Sequence, residues 1–397
     1  MNPSFIRHLN ALKIFHAIRS NPGITQKSLT DLVGTDKTTT SSVVNSFHRA
    51  GLIERVRQTE RSGAGRPSDG FAISPRGGLL VGVEIRGGHV MLIAAGLDGR
   101  PQTSLSLPMA EDQEGLGDQI ANGLRGITIA LGRELSEVRA VGLAAPGGVS
   151  IDGRVTEPMV SGLDRALKEM IEGAIGAPLY INNNSNGGAL AELFFARGGQ
   201  SDDFLYVETD AVNDGQGLGS GIIIGGALHR GSNGFAGELG HVKHPTHLPL
   251  RCVCGKFGCL CTLVADKWLL ERSRIAGNEV ASMEQLLDQA SLEVPAALAV
   301  LHQAGTALGQ AVGNFLNMLD VTEVVFGGSL VRLEPFLRDK LRHALFETTF
   351  RPIAEPLTVS FSRLGEAPLD GIAIALDGCT NDLERETAPW HGTKPIT

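Results

Sequence analysis

Four of the chain's five cysteines lie within ten residues, and a histidine precedes them at a spacing that suits a metal ion. His241, Cys252, Cys254 and Cys259 form the pattern H-x10-C-x-C-x4-C, and Cys261 follows closely. Thiolate and imidazole ligands in a set of four favour tetrahedral zinc. Because such a set leaves no open coordination position, we expect one structural zinc ion per chain, holding an otherwise irregular loop.

Two alternatives to this assignment stay open. The cysteines could serve redox chemistry, and His244 or His247 could replace His241 as the fourth ligand. The cluster does not resemble a disulfide framework, and in a reducing compartment such clusters are more often metal sites. The fifth cysteine, Cys379, is expected to be an unreactive packing residue.

Length and composition limit the class of protein. A chain of 397 residues with 42% hydrophobic content can bury large cores and is expected to form two or three domains. The sequence has no uncharged apolar run of about 18 residues, and its N-terminus is charged where a signal peptide needs an apolar core. We therefore expect a cytoplasmic protein with no membrane partner.

The net charge of −8 is unevenly distributed. Residues 1–75 contain ten basic and five acidic side chains, whereas the remainder contains 25 basic and 38 acidic ones. Because the acidic remainder would repel a polyanion, any contact with nucleic acid is predicted to lie in the N-terminal part.

The pattern of residues 1–76 predicts a winged helix-turn-helix domain. Apolar residues at helical spacing indicate a first helix, and a second is bounded by Thr25 and Gly34. A third helix begins at the capping candidate Asp36 and turns Val43, Val44 and Phe47 inward. The segments LIERVRQTE and GFAIS look like two strands joined by the basic loop RSGAGRPSDG, which would form the wing.

The third helix carries short polar side chains that suit close approach to DNA. Its candidate DNA-binding residues are Lys37, Thr38, Thr39, Thr40, Ser41 and Ser42. Arg66, beside a proline in the wing, is a candidate for the minor groove. The alternative interpretation is an exposed polar helix start with no partner.

After residue 77 the pattern changes to short apolar runs that alternate with helical segments. Strands are predicted at runs such as LLVGVEI, HVMLIAAGL and EVVFGG, and helices at EGLGDQIANGLRGITIAL and VPAALAVLHQAGTALGQAVGNFLNML. This alternation indicates an α/β class.

The segments GIIIGGALHRGSNGFAGELGH and CVCGKFGCLC resemble the ROK family of bacterial repressors and sugar kinases. The segments VGVEIRGGHV, GLAAPGGV, INNNSNGGALAE and VVFGGSL stand in the family's order. The resemblance implies an actin-like (ribonuclease H-like) fold and zinc on the four residues already named. The implied lobes are 77–195 and 196–385, with the last helix returning to the first lobe and a tail at 386–397.

The resemblance also implies a sugar site with two departures from the kinases. Family kinases use an Asn-Asp pair, whose Asp is the base, and a Glu-x-x-His pair with a final Glu. Here Asn183 matches the Asn, but Asn184 replaces the Asp and Cys261 replaces the final Glu, while Glu238 and His241 are retained. An amide cannot accept a proton as a carboxylate does, so phosphoryl transfer would lose its general base.

The loop that would bind the nucleotide phosphates also differs from that of the kinases. Where the kinases have an Asp-x-Gly-Gly-Thr type loop, this chain has EIRGGH, so that Glu84, Arg86 and His89 replace an Asp, a Gly and the Thr. The bulky Arg86 should obstruct a phosphate, although its charge could attract one.

Together these features predict a DNA-binding transcriptional regulator, a repressor of carbohydrate-related genes, with no enzymatic activity. The expected partners are double-stranded operator DNA and a sugar or sugar derivative that binds near Asn183, Asn184, Glu238 and His241. We expect a homodimer or homotetramer, since paired DNA half-sites demand paired domains. The competing hypotheses are an active sugar kinase and a regulator that senses a protein partner.

Overall fold

The computed structural model describes residues 3–57, 69–86, 88–110, 113–156, 165–197, 203–210, 215–246, 248–365 and 369–381. Within these ranges, no helix is both long enough and apolar enough to cross a bilayer.

The N-terminal domain consists of three helices and a small sheet. Its elements are α1 (Pro3–Ser20), β1 (Ile24–Thr25), α2 (Gln26–Val33), α3 (Lys37–Arg49), β2 (Ile53–Arg57) and β3 (Asp69–Ile73). Strand β3 pairs antiparallel with both β1 and β2, so the sheet order is β1-β3-β2. The predicted helices and hairpin are confirmed. Strand β1 was not predicted, because two residues are too few to produce an alternating pattern.

Thr25 and Asp36 begin α2 and α3, and Gly34 ends α2, as the sequence predicts. The hydroxyl of Thr25 accepts a bond from the backbone N–H of Ser28 at 3.2 Å, and Gly34 closes α2 with a left-handed φ of 69°. The carboxylate of Asp36 accepts two backbone N–H bonds at 2.9 Å in the first turn of α3. These caps satisfy groups that a helix end would leave unpaired.

The first lobe begins with three antiparallel strands and continues with parallel ones. Its elements are β4 (Leu79–Arg86), β5 (His89–Gly96), β6 (Pro101–Pro108), α4 (Gln113–Ala130), β7 (Val138–Ala145), α5 (Arg165–Ile175), β8 (Leu179–Asn183), α6 (Asn184–Ala191) and a π-helical turn (Glu192–Ala196). The sheet order is β6-β5-β4-β7-β8, with β4, β7 and β8 parallel.

The second lobe has a sheet of the same design. Its elements are β9 (Phe204–Asp210), β10 (Gly217–Ile224), β11 (Ala227–Leu228), α7 (Cys261–Val264), α8 (Asp266–Ile275), α9 (Met283–Ser291), α10 (Pro295–Leu319), β12 (Glu323–Gly328), α11 (Leu330–Thr348), α12 (Arg351–Ala354) and β13 (Thr358–Phe361). The sheet order is β11-β10-β9-β12-β13, again with the third-second-first-fourth-fifth arrangement of the first lobe. The two-lobed, actin-like α/β fold predicted from the resemblance is confirmed.

A last helix, α13 (Asp370–Asn381), follows the second lobe in the chain but packs on β4 and β7 of the first. The approach is close: a Cβ on Gly142 of β7 would lie 2.1 Å from the carbonyl oxygen of Gly371. Helices α6 and α13 also share an apolar cluster with the second sheet, through residues such as Ala189, Ile374 and Phe204. These two helices therefore lie between the sheets. The lobe boundaries given above stay predictions.

Candidate zinc centre, effector cleft and DNA-binding surface

The four predicted zinc ligands come together in the loop that connects β11 to α7. His241 lies in a short 3-10 turn (Leu239–His241), and the cysteines follow on an irregular segment that two isolated β-bridges fasten. The bridges pair Lys243 with Cys259 and Arg251 with Phe257. Backbone pairing thus brings the early and late parts of the loop together.

The geometry of the cluster fits one tetrahedral ion. The donor atoms of His241, Cys252, Cys254 and Cys259 all lie within 4.8 Å of one another. Cys252 Sγ lies 3.6 Å from His241 Nδ1, and Cys254 Sγ lies 3.6 Å from Cys259 Sγ. Four sulfur or nitrogen ligands at about 2.0 to 2.3 Å from a zinc ion are separated by roughly 3.5 to 3.8 Å. The residues present can therefore hold a metal ion.

Without a metal, the buried thiols resist ionisation. The S–H···S contact with Cys261 and burial raise the pKa of Cys252 to about 11. Burial also raises the pKa of Cys259 to about 11, although the Lys243 ammonium 3.1 Å from its sulfur opposes the shift. Three adjacent thiolates would repel one another, so a divalent cation supplies the charge that such a set lacks.

Of the two alternative histidines, His244 points away from the cluster. Its Nδ1 lies 3.1 Å from the carbonyl oxygen of Pro245, and its Nε2 lies 3.1 Å from Oε1 of Gln310 on α10. Among the described residues the cluster therefore uses His241. His247 lies outside the described residues.

The two ring nitrogens of His241 face different groups. Nδ1 is directed at Cys252, whereas Nε2 lies 3.7 Å from Oε2 of Glu238. Both side chains keep about two-fifths of their surface exposed, at 42% and 40%. Partial removal from water raises the pKa of the Glu238 carboxyl, and the charge of His241 opposes this rise. The Glu-x-x-His pair thus joins the metal cluster to an accessible polar surface.

The Asn pair lies where β8 passes into α6. Asn183 caps that helix, with its Oδ1 accepting the backbone N–H of Asn186 at 2.7 Å, and Asn184 is the buried first residue. Helix α6 packs so tightly on β10 that a Cβ on Gly219 would lie 2.0 Å from Ser185 Oγ.

The loop that carries Glu238 rests on the same strand. The hydroxyl of Ser220 in β10 donates to the carbonyl oxygen of Gly237 at 2.7 Å, and a Cβ on Gly240 would lie 2.0 Å from the carbonyl oxygen of Leu218. Strand β10 therefore supports both halves of the predicted effector site. The structure brings Glu238 and His241 together directly, and it relates them to the Asn pair through this strand.

Glu84, which replaces the Asp of the kinase phosphate loop, has a structural partner. The side chain is buried at 1% exposure, and its Oε1 accepts the backbone N–H groups of Asp370 at 2.9 Å and Gly371 at 3.3 Å. A carboxylate at a helix N-terminus is favourable because of the free N–H groups and the helix dipole. Glu84 thus caps α13. Gly87, in the same loop, lies outside the described residues.

Helix α3 presents two distinct faces. Lys37, Thr38 and Ser42 are exposed, and Ser41 and Thr39 are half-buried. Thr39 donates to its own cap, Asp36, at 2.5 Å. Thr38 and Ser42 are four residues apart and therefore lie on the same side of the helix.

The expectation for Thr40 needs correction. This residue is fully buried, and its hydroxyl lies 2.8 Å from that of Thr35 and 3.2 Å from that of Thr30. Thr40 follows Thr38 by two positions, which places it on the opposite side of the helix, where α2 packs. Thr40 therefore joins α2 to α3 and does not face solvent.

Sequence reasoning missed two residues on the exposed face. Asn45 and Arg49 are exposed, and with Thr38 and Ser42 they follow the spacing i, i+4, i+7 and i+11 of one helical stripe. Extending the pattern beyond the polar run would have found them. The candidate wing residue Arg66 lies outside the described residues.

The first helix of the winged domain is attached to the body. Arg19 donates to the carbonyl oxygen of Phe194 at 2.5 Å, and its guanidinium lies 5.6 Å and 5.5 Å from the ring centres of Phe194 and Phe195. The His16 ring stacks on Phe194 with centroids 4.6 Å apart and planes at 10°. Burial, aided by the charge of Arg19, lowers the pKa of His16 to about 3.

An apolar cluster surrounds this contact. Ile14, Phe15 and Ile18 of α1 share it with Ile372 and Cys379 of α13. Cys379 is buried, as its predicted packing role requires. The winged domain is therefore packed on the first lobe rather than tethered by a linker alone.

The segment that α1 contacts also contacts the second lobe. Phe194 and Phe195 belong to the π-helical turn that continues α6. In this turn Glu192 accepts from the hydroxyl of Ser362, which follows β13, at 2.9 Å. Arg197, directly after the turn, forms a buried ion pair with Glu323 at the start of β12. Residues 192–197 therefore form a junction of the winged domain, the first lobe and the second lobe.

Fold and sites together define a winged-helix protein whose two-lobed body has the duplicated architecture of sugar kinases. Residues 80–376 match the ROK family, and the chain therefore belongs to that family. Residues 8–62 match the MarR family, which supports the winged helix as a DNA-binding domain.

Similar proteins include both regulators and kinases. The xylose repressor of Bacillus subtilis (strain 168) is 24% identical over 378 residues, covering 94% of this chain and 96% of that protein. A glucokinase of Streptomyces coelicolor is 25% identical over 336 residues, covering 79% of this chain and 99% of that enzyme. The aligned length of the glucokinase corresponds to the two-lobed body alone, whereas that of the repressor includes the winged domain as well.

A solved structure has the same fold over nearly the whole chain. It is the crystal structure of a ROK family transcriptional regulator described as a homologue of the E. coli MLC protein. Its TM-score is 0.79 at 23% identity, with 95% of this chain and 97% of that one covered.

Proposed function

We propose that the protein is a transcriptional repressor that binds operator DNA through its winged domain and releases it when a sugar or sugar derivative binds the body. The observation that carries this proposal is the junction at residues 192–197. It joins the helix that begins at Asn184 to the domain that carries α3. A change at the start of α6 therefore has a packed route to the DNA-binding domain.

The DNA contacts of the proposal lie on the exposed stripe of α3. Lys37, Thr38, Ser41 and Ser42 would approach phosphates and base edges near the helix start, and Asn45 and Arg49 extend the surface. Asn and Arg have the side chains that recognise adenine and guanine in the major groove. Arg66 remains the proposed minor-groove contact of the wing.

The effector contacts of the proposal are Asn183, Asn184, Glu238 and His241. The two amides and the carboxylate offer donors and acceptors that match sugar hydroxyls. Zinc would bind His241 Nδ1 and the three cysteines, and a bound ion fixes the tautomer of the imidazole. His241 Nε2 would then carry a proton, which it can donate to a hydroxyl beside Glu238.

The kinase hypothesis is weakened at two separate places. Asn184 has no carboxylate with which to take a proton from a sugar hydroxyl, and Glu84 is occupied in capping α13. Phosphoryl transfer needs both a positioned base and a bound, neutralised phosphate. A coupled assay with ATP and common hexoses should give no turnover, and clear turnover would contradict the proposed role.

The effector test begins with a thermal-shift screen of sugars and sugar phosphates, since a ligand of the native state raises the melting temperature by mass action. D-Xylose comes first because the Bacillus relative is named a xylose repressor. The sugar that shifts the melting temperature is then titrated against an operator complex. If no sugar or sugar phosphate in the panel shifts the melting temperature, the hypothesis of a regulator that senses a protein partner is favoured instead.

Glu238→Gln tests the site itself. The change keeps the shape but replaces an acceptor by a mixed amide, and loss of a charge-assisted hydrogen bond costs roughly 1.5 to 3 kcal/mol. The variant should fold, keep its zinc and bind operator DNA, yet need roughly ten-fold more of the sugar found in the screen for release. Release at the wild-type sugar concentration would exclude this surface as the effector site.

Cys254→Ser tests the metal. A hydroxyl is a harder and more strongly protonated donor than a thiol, so the variant should lose its zinc while the wild type carries one ion per chain. Metal analysis by mass spectrometry decides the matter. Full zinc occupancy in the variant, even when Cys261→Ser is added so that Cys261 cannot take the place of Cys254, would show that the ligand set is wrong.

A further inference from the structure

A fifth sulfur lies beside the proposed zinc ligands. Cys261, the first residue of α7, is 2% exposed, and its Sγ lies 3.4 Å from the Sγ of Cys252. On another side, Cys252 Sγ lies 3.6 Å from His241 Nδ1. Two possible zinc donors, an imidazole nitrogen and a thiol sulfur, therefore lie on either side of the same cysteine.

The two donors differ in their other surroundings. His241 keeps 42% of its side chain exposed and its second nitrogen faces Glu238, whereas Cys261 is enclosed in the core of the second lobe. A buried cysteine can act simply as a small apolar residue. Here, however, its sulfur is directed at a cysteine of the metal cluster rather than only at apolar neighbours.

We propose that Cys261 is a reserve zinc ligand, which completes a set of four cysteines when His241 leaves the ion. This inference rests on the proposed zinc site. In the exchange the bond from zinc to His241 Nδ1 breaks, the bond from zinc to Cys261 Sγ forms, and the thiol proton passes to water. Four protein ligands would hold the ion before and after the exchange, as a closed site requires.

The exchange adds one negative charge, because three thiolates become four. A cation that can offset this charge is already present: the Lys243 ammonium lies 3.1 Å from Cys259 Sγ and also donates to the carbonyl oxygen of Phe257 at 2.5 Å. Cations beside metal-bound thiolates stabilise the ionised form. The loop thus contains both a fifth ligand and a countercharge for it.

The exchange would separate two duties of His241. In the four-cysteine state the loop would keep its ion, but the imidazole would lose the metal contact that fixes its tautomer for the proposed bond to the effector. His241 is then dispensable for zinc but not for effector binding.

Four proteins test the proposal: the wild type, His241→Ala, Cys261→Ser and the double variant. Each is dialysed against a competing chelator, and its zinc is measured. We expect one ion per chain in the wild type and in both single variants, and a roughly 100-fold or greater loss of affinity in the double variant. Far-UV circular dichroism verifies that each protein is folded.

Cobalt substitution identifies the ligands directly, because the intensity of the thiolate-to-cobalt charge-transfer band increases with the number of bound thiolates. Cobalt-loaded His241→Ala should show a band about one third stronger than the wild type, as three thiolates become four. Cobalt-loaded Cys261→Ser should match the wild type.

Three outcomes would overturn the inference in distinguishable ways. If His241→Ala loses zinc as completely as the double variant, Cys261 does not reach the ion. If the double variant retains as much zinc as His241→Ala, the ion needs no fourth protein ligand. If Cys261→Ser alone loses zinc, Cys261 is a primary ligand. A wild-type protein without zinc would instead contradict the proposed metal site itself.

Discussion

Helices α1 and α3 belong to the same small domain but have opposite relations to the rest of the molecule. Helix α3 contacts α2 on one side and exposes a polar stripe on the other. The residue that caps it, Asp36, directly precedes it in the sequence. Helix α1 buries Ile14, Phe15 and Ile18 in a cluster shared with α13, and its Arg19 donates to the carbonyl oxygen of Phe194 in the body.

The proposed DNA-binding surface and the contact that holds the domain on the body therefore lie on different helices. If the proposed surface is correct, changes on the stripe of α3 should alter affinity for DNA without disturbing the body. Changes at the contact of α1 alter how firmly the whole domain is held. If α3 and α1 have these separate roles, substitutions in them should give separable effects.

The largest effect is expected for Phe194→Ala, which removes the ring that both His16 and Arg19 contact. Loss of a large aromatic side chain from such a contact costs about 3 kcal/mol of unfolding free energy. Chemical denaturation should also separate the unfolding of the winged domain from that of the body. The control is Phe350→Ala, since that ring is 64% exposed. Equal stability of the two variants would disprove the attachment of α1.

The next effect is expected for Arg49→Ala on the stripe of α3. Removal of an arginine that contacts a base or phosphate weakens DNA binding by about 2 kcal/mol and, for a phosphate contact, lowers the salt slope by about one. Fluorescence anisotropy at several salt concentrations measures both. Arg351→Ala is a matched control, because that side chain is 87% exposed and lies in the second lobe. Identical binding by the two variants would remove Arg49 from the interface.

The same reasoning predicts that Arg66→Ala weakens operator binding and reduces its salt dependence. A lost groove or phosphate contact releases fewer counterions. The expected loss is about 1 kcal/mol for a single wing contact. Unchanged affinity and slope would mean that the wing does not contact DNA.

A comparable effect, on stability instead of binding, is expected for Thr40→Val. The substitution removes the hydroxyl that joins Thr30 and Thr35 and should cost about 1 kcal/mol of unfolding free energy. Binding to DNA should stay at the wild-type level because the residue is buried. A weakened complex with unchanged stability would reverse the assignment of the two faces.

The smallest effect concerns pH at the contact of α1. Since the pKa of His16 is lowered to about 3, the unfolded chain takes up a proton below about pH 6.5 and the folded chain does not. Stability should therefore fall as the pH decreases, by about 0.8 kcal/mol at pH 6.0 for this group. His16→Phe keeps a ring against Phe194 and should remove this part of the pH dependence. Equal slopes for the two proteins would contradict the buried neutral imidazole.

Features set by neighbouring residues could be predicted from the sequence. Thr25 and Asp36 cap their helices through bonds that span two or three positions, and the metal cluster needed only the types and spacing of four side chains. The fold class followed from the resemblance, with the alternation of strands and helices in support.

Features that depend on packing could not be predicted. Arg19 and Phe194 are 175 positions apart, and no periodicity in either segment indicates that they meet. Thr40 has the same residue type as Thr38 and Thr39, so its inward position follows only from where α2 packs. The capping of α13 by Glu84 likewise depends on a helix that returns from the end of the chain.

The π-helical turn makes the junction sensitive to chain length. A π turn contains one residue more than an α turn, so deletion of one residue there would let α6 continue as an ordinary helix. Every later side chain of that helix would then rotate by about 100° around the axis. The rings of Phe194 and Phe195 would turn away from α1, even though neither residue had been replaced. In the evolution of this segment, a one-residue deletion is therefore a more disruptive event than most substitutions.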